Sequence, residues 1–259
     1  MRKFFFFVLL YAFSTAITLV VLRSGSVLGA HTQISGAPPD GIEENQVPDD
    51  LSFYDMLQNW VRPEGPPKVG LQVGHWKNDE VPEELKKLKD NTGASGGGKW
   101  EWEVNHEIAT LAAEILRKEG VEVDIIPATV PPGYWADVFL AIHADGNEDT
   151  SKSGYKFATP WRDFTRRSDT LVALLTKYYE AATKMERDPN ITRNMRGYYA
   201  FAWWKYEHTI HPMTTAAIAE TGFLTSAHDR MFLINSPQIP ATAIADAIIE
   251  YLETQGLLW

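Results

Sequence analysis

DVFLAIHAD, residues 137–145, is the stretch on which the fold turns. It reads as a strand that carries an apolar run up to His143. KVGLQVGH (68–75) upstream reads as another, ending at His75, and VEVDIIP (121–127) and GYKFATP (154–160) read as two more. Between them, EVNHEIATLAAEILRKEG (103–120) places Val104, Ile108, Leu111, Ala112, Ile115 and Leu116 on one helical face and closes on Gly120. The pattern from Trp161 to about Met185 is helical, and AIADAIIEYLETQG (243–256) gives a last helix with Gly256 as its stop. This alternation predicts an α/β fold: a single domain with a mostly parallel central sheet flanked by helices. In such sheets sites gather at the carboxyl ends of strands.

The chain of 259 residues is not all globular in pattern. Arg2 and Lys3 precede an uncharged run from Phe4 to Leu22, long enough to span a membrane as a helix. Residues 1–24 therefore read as a signal-anchor or transmembrane segment. The basic start sends the remainder outward, to an extracytoplasmic, membrane-anchored location, or a secreted one if the segment is cleaved. Residues 25–67 are rich in Pro, Gly and acids and read as a linker. Within it LSFYDMLQNWV (51–61) is amphipathic, with two uses open: docking on the domain or contact with the membrane surface. The compact domain is expected over 68–259.

The chain has no cysteine, which excludes disulfides, thiolate metal sites and cysteine nucleophiles. A net charge of −10 argues against nucleic acid and anionic lipid as partners. Any metal must be held by histidine and carboxylate.

Three candidates fall at strand ends. His75 closes the first strand, His143 the central one, and Glu220 closes TTAAIAE (214–220), an acid at the end of a run of small, β-branched and apolar residues. Two histidines and one carboxylate with an open fourth position form a known catalytic zinc set. The third ligand is sought in GGGKWEWEVNHEIA (96–109), where Glu101 and Glu103 stand at a helix start behind a glycine-rich loop flexible enough to fold over the sheet edge.

Gly-His at the first strand end, an acid four residues before Asn105, IHAD on the central strand and ETGF on a late strand occur in that order. Together they resemble the zinc-dependent N-acetylmuramoyl-L-alanine amidases of bacterial cell walls, over about 180 residues. The resemblance implies Zn²⁺ held by His75, Glu101 (rather than Glu103) and His143, with Glu220 as the catalytic carboxylate. It implies hydrolysis, by a zinc-activated water, of the amide between N-acetylmuramic acid and L-alanine, peptidoglycan as partner, and room for an unidentified activator. Two other functions fit the same pattern: another zinc peptidase or amidohydrolase on this fold, or a wall-binding module without activity. The sequence departs from the family at Trp76 and Lys77, where glycines are usual, at Asp145 in place of Asn, and in IIPATV (125–130), which lacks an arginine. His208 and His211 are expected to be structural. Arg193 and Arg196 are suited to binding peptide carboxylates or to lying in solvent.

Overall fold

The computed structural model describes residues 53–259. In chain order the elements are α1 (Phe53–Gln58), β1 (Lys68–Val73), β2 (Ser95–Gly96), β3 (Lys99–Trp100), α2 (Glu101–Lys118), β4 (Glu122–Ile126), β5 (Val138–Asp145), β6 (Lys156–Ala158), α3 (Ser168–Thr183), α4 (Arg193–Arg196), β7 (Thr215–Phe223), α5 (Arg230–Leu233) and α6 (Gln238–Thr254). The main sheet has the order β4-β1-β5-β7-β6. Its first four strands are parallel, while β6 runs antiparallel to β7. The chain leaves β1 for β4 on one side and returns to β5 on the other, so the strand order reverses between β1 and β5. A crevice opens at the carboxyl ends of strands at such a point.

Each strand alternates between two covers. Val69, Leu71 and Val73 of β1, Leu140 and Ile142 of β5 and Ala217 and Ala219 of β7 point to one face. There they meet Ile108 and Leu116 of α2, Leu171 and Leu175 of α3, and Ile244 and Ile248 of α6. Fully burying one such side chain stabilises the fold by about 1.5–3 kcal/mol. The other face carries Phe139, Ala141, Ala216 and Ile218, packed on Leu85, Met195, Tyr199, Phe201 and Ile210 from largely irregular segments. Polar positions on this face are made to fit: Gln72 is buried and donates to the Ala128 carbonyl and to the Tyr199 hydroxyl, at 2.8 and 3.0 Å.

Four expectations are refined. Strand β1 ends at Val73, and His75 lies in the turn beyond it with a φ of 65°. The helix expected from Trp161 starts at Ser168, because the Asp163 carboxylate gathers the amides of Thr165, Arg166 and Ser168 into a loop that caps the helix entry. The glycine-rich loop is a tight hairpin: Gly97 and Gly98, with φ of 60° and 79°, form the turn between β2 and β3. The segment at 53–62 lies against the domain, with Leu57 buried, Trp60 against Trp135 and His211, and Arg62 bound through two nitrogens to Asp137 at 2.7 and 2.8 Å. The membrane segment expected at 1–24 lies outside the described residues. Among the described residues no helix is long and apolar enough to cross a membrane.

Candidate metal centre and active site

Four sequence-selected residues meet at the carboxyl edge of the sheet, each brought by a different element. The β2–β3 hairpin turns the chain directly into α2, so that Glu101 is the first residue of an 18-residue helix and only 4% exposed. The partial positive charge of that helix start favours its carboxylate. Oε2 accepts from the Ala94 amide at 2.7 Å and Oε1 from the Ala144 amide at 3.2 Å. Glu103, two residues on, is used otherwise: its carboxylate accepts from the Trp100 amide at 2.7 Å and caps the helix.

His143 stands on β5 with Nδ1 3.0 Å from Glu101 Oε1, and His75 directs Nε2 at the same oxygen from 3.5 Å. The donors of the three residues lie within 4.8 Å of one another. These separations suit a metal ion. Tetrahedral ligands about 2.0–2.1 Å from zinc lie about 3.4 Å apart, close to the two observed distances. The His75 Nδ1 proton faces the Asn91 carbonyl at 2.9 Å, which leaves Nε2 as the lone-pair donor. On the far side of the His143 ring, Nε2 is 3.4 Å from the Tyr198 hydroxyl. The residues fit a metal ion.

Two glycines make room for this cradle. A Cβ at Gly74 would collide with the His143 ring, and one at Gly93 with the Glu101 carboxylate. The Gly of the Gly-His pair is thus required by the second histidine's ring rather than by its own backbone.

Electrostatics separates the two acids. Burial opposes the charge on Glu101, but the hydrogen bond and charge of His143, with His75 and the Ala94 amide, outweigh it and hold the carboxyl below its usual range. Burial lowers the His75 imidazole, favouring the neutral, ligating form. Glu220 pairs with His143 in the β5–β7 register, and the register shifts immediately afterwards, between His143 and Asp145. Burial pushes the Glu220 carboxyl up to about 8, against the pull of His143. Its Oε2 is sealed from solvent without a hydrogen-bond partner among the described residues. A buried carboxylate oxygen left unpaired costs free energy unless a ligand or reacting group takes it up.

His75, Glu101, His143 and Glu220 line a polar cavity of about 320 Å³ together with Asp145. Asp145 is not a free acid at the centre, since Lys156 Nζ binds it at 2.7 Å. Trp76 packs edge-on to His106 with Lys77 over its ring, beside an adjoining cavity of about 500 Å³ that His75 also lines. His208 is engaged by Glu84 at 2.7 Å and His211 by Trp60; neither lines the cavity. Sequence reasoning missed Tyr198, which lies in a stretch without helix or strand periodicity.

Fold and site define an α/β domain with a His-Glu-His cradle suited to a metal and a fourth residue beside it, Glu220, whose Oε2 has no partner among the described residues. Residues 132–250 match the profile of the family described as N-acetylmuramoyl-L-alanine amidase. The matched stretch includes His143 and Glu220; His75 and Glu101 precede it. The catalytic domain of CwlV, an N-acetylmuramoyl-L-alanine amidase from Bacillus (Paenibacillus) polymyxa var. colistinus, superposes with a TM-score of 0.51 at 21% identity, covering 72% of this chain and 98% of its own. The N-acetylmuramoyl-L-alanine amidase from Clostridium difficile 630 gives 0.54 at 18% identity, covering 74% and 100%. The CwlD amidase of Clostridioides difficile, in complex with the GerS lipoprotein, gives 0.50 at 14% identity, covering 73% and 99%. At these identities the likeness is one of fold. No curated protein sequence matches the chain.

Proposed function

We propose that the chain hydrolyses the amide between the lactyl group of N-acetylmuramic acid and L-alanine in peptidoglycan, with Zn²⁺ held by His75, Glu101 and His143. The observation that carries this reading is the cradle with an unpaired Glu220 oxygen on the neighbouring strand, inside a domain whose family is named for that reaction. When bound, zinc supplies Lewis-acid polarisation and a nucleophilic water at neutral pH. Glu101, fixed by two backbone amides and the helix start, keeps its charge and holds His143 in place. Glu220 takes the proton of the attacking water and passes it to the amine nitrogen as the carbon–nitrogen bond breaks, freeing the peptide. The carboxyl's raised affinity for a proton suits it to carry one between two reacting groups.

The domain at 68–259 is the catalytic part of this proposal, tethered by 25–67 to an anchor at 1–24, which places the site outside the cytoplasm beside its substrate. The complex of CwlD with a lipoprotein supports a further expectation, that an accessory protein partners this chain.

The test is release of peptides with new amino-terminal L-alanine from purified peptidoglycan, with chelator and with zinc restored. Release that stops with chelator and returns with zinc supports the proposal. Zinc bound by the wild-type chain without any release would sink it in favour of a wall-binding module. Glu220→Gln should lower hydrolysis by about 10²–10⁴-fold while zinc stays bound, read by metal analysis beside the activity assay.

A further inference from the structure

Outside the cradle, a groove of about 410 Å³ is lined by Phe157, Trp161, Asp169, Arg187, Arg193 and Arg196 among others. Three arginines converge here in a chain that carries ten more negative than positive charges. None of the three forms an ion pair among the described residues, whereas Lys156, on the way to the cradle, is matched to two acids. Arg196 is held flat: its guanidinium lies 4.3 Å from the Trp161 ring centre and Nε points to the Thr159 carbonyl at 3.4 Å. Its remaining donors form a fork suited to a carboxylate. Arg193 sits one turn earlier on α4, a spacing that puts both side chains on one side.

Shared lining residues relate the groove to the metal cavity. The groove shares Arg187 and Thr192 with a cavity of about 420 Å³ that Lys156 and Asp145 line, and Asp145 also lines the metal cavity. Lys156 cannot receive an anion along the way, because Asp145 and Asp188 already hold it at 2.7 and 2.9 Å. The free cations lie beyond it. A peptide chain that is not cross-linked ends in a carboxylate, and in the proposed reaction the peptide is the leaving group.

We infer that Arg187, Arg193 and Arg196 form a receptor for a carboxylate on the peptide arm of the substrate, so that the chain selects muramoyl peptides with a free acid end. This inference rests on the amidase reading above. Arg196 on its Trp161 platform and Arg193 grip the carboxylate, and Arg187 marks the passage from the active site.

The test uses the full chain loaded with zinc and two synthetic muramoyl tetrapeptides, identical except that one ends in a carboxylate and the other in a carboxamide. The wild-type KM should be about 10- to 100-fold lower for the carboxylate, the range expected of charge-assisted hydrogen bonds to guanidinium groups. High salt should narrow the gap. In Arg193→Gln with Arg196→Gln the preference should collapse toward one. Arg193→Gln alone, at an exposed position, is the milder variant should the double change misfold, and it too should lower the preference. Calorimetric binding of the two free tetrapeptides to the metal-stripped chain should show the same preference without any turnover. Equal KM and equal binding for the two ends in the wild type would overturn the inference while leaving the amidase reading standing. Turnover of neither substrate would overturn that reading and this inference with it. Equal KM together with arginine-dependent binding to walls rich in phosphate polymer would overturn it in favour of a polyanion surface.

Discussion

The helical face of the sheet and the irregular face are built on the same strands by opposite means. On the helical face, α2, α3 and α6 present regular apolar stripes to β-branched and aliphatic strand residues. On the other, β1 offers Gly70, Gln72 and Gly74, and aromatic rings from irregular segments come down onto them: Tyr134 crowds Gly70, and Tyr199 reaches Gln72. The site forms where the two layers meet. Glu101 comes from the helical side, His143 and Glu220 point with the irregular side, and His75 caps the edge between them. The difference teaches that the helical layer supplies regular packing and one acid of the cradle, while the strand face turned to the irregular layer carries His143 and Glu220.

Breaking the helical side should cost most in stability and least in metal binding. Ile108 is fully buried against the sheet, and Ile108→Ala should lower the unfolding free energy by about 2–5 kcal/mol in a urea titration, with zinc affinity of the folded chain near wild type. A comparable loss of affinity would break the division between layers. At the seam, Gly74→Ala should cost about 1–3 kcal/mol through overpacking, because the new methyl meets the His143 ring. Here zinc affinity should fall together with stability, and a variant that keeps both would show that the ring has room to move.

On the irregular side, Tyr198→Phe keeps the ring against His143 and removes only the hydroxyl near Nε2. Metal affinity should drop about 10–100-fold, the usual cost of losing a partner to a ligating histidine, with little change in melting temperature. A competition titration against a zinc chelator reads it, and an unchanged affinity would reduce Tyr198 to packing. The smallest effect concerns Glu84, which fastens the 83–88 turn to the amides of Glu207 and His208. Burial disfavours its charge, but those amides and the His208 side chain outweigh it and lower its pKa. A depressed carboxyl contributes stability above its unfolded pKa, near 4.5, and loses it as pH falls through the folded value. Glu84→Gln should therefore narrow the gap between urea midpoints at neutral pH and at about pH 3.5; an unchanged gap would show that this tie carries no weight.

Much of this was legible in the sequence because it is periodic. The helical stripe of α2 and the apolar runs of β1, β5 and β7 announce themselves by spacing, and with them the positions of His143 and Glu220. The start of α3 was misread because Trp161 and Phe164 continue an apolar pattern that the Asp163 side chain interrupts by taking backbone amides. Tyr198 was invisible because its value comes from a contact 55 residues away, made by a segment with no repeat. Arg193 and Arg196 keep two uses open as letters and Arg187 gives no signal at all, since their convergence on one groove cannot be read from a string.

By itself the sequence determined the class of fold, the order of its strands and helices, and a short set of histidines and acids at strand ends, because hydrophobic period and turn chemistry are local. The tertiary structure decided which acid joins the histidines. Glu101 and Glu103 are equal as letters, but helix geometry sends them in different directions, and only Glu101 enters the cradle, where two amides and two imidazoles compensate its burial. Tertiary packing alone likewise made Gly74 indispensable and left the Glu220 oxygen without a partner, since close approach and desolvation are properties of the packed chain.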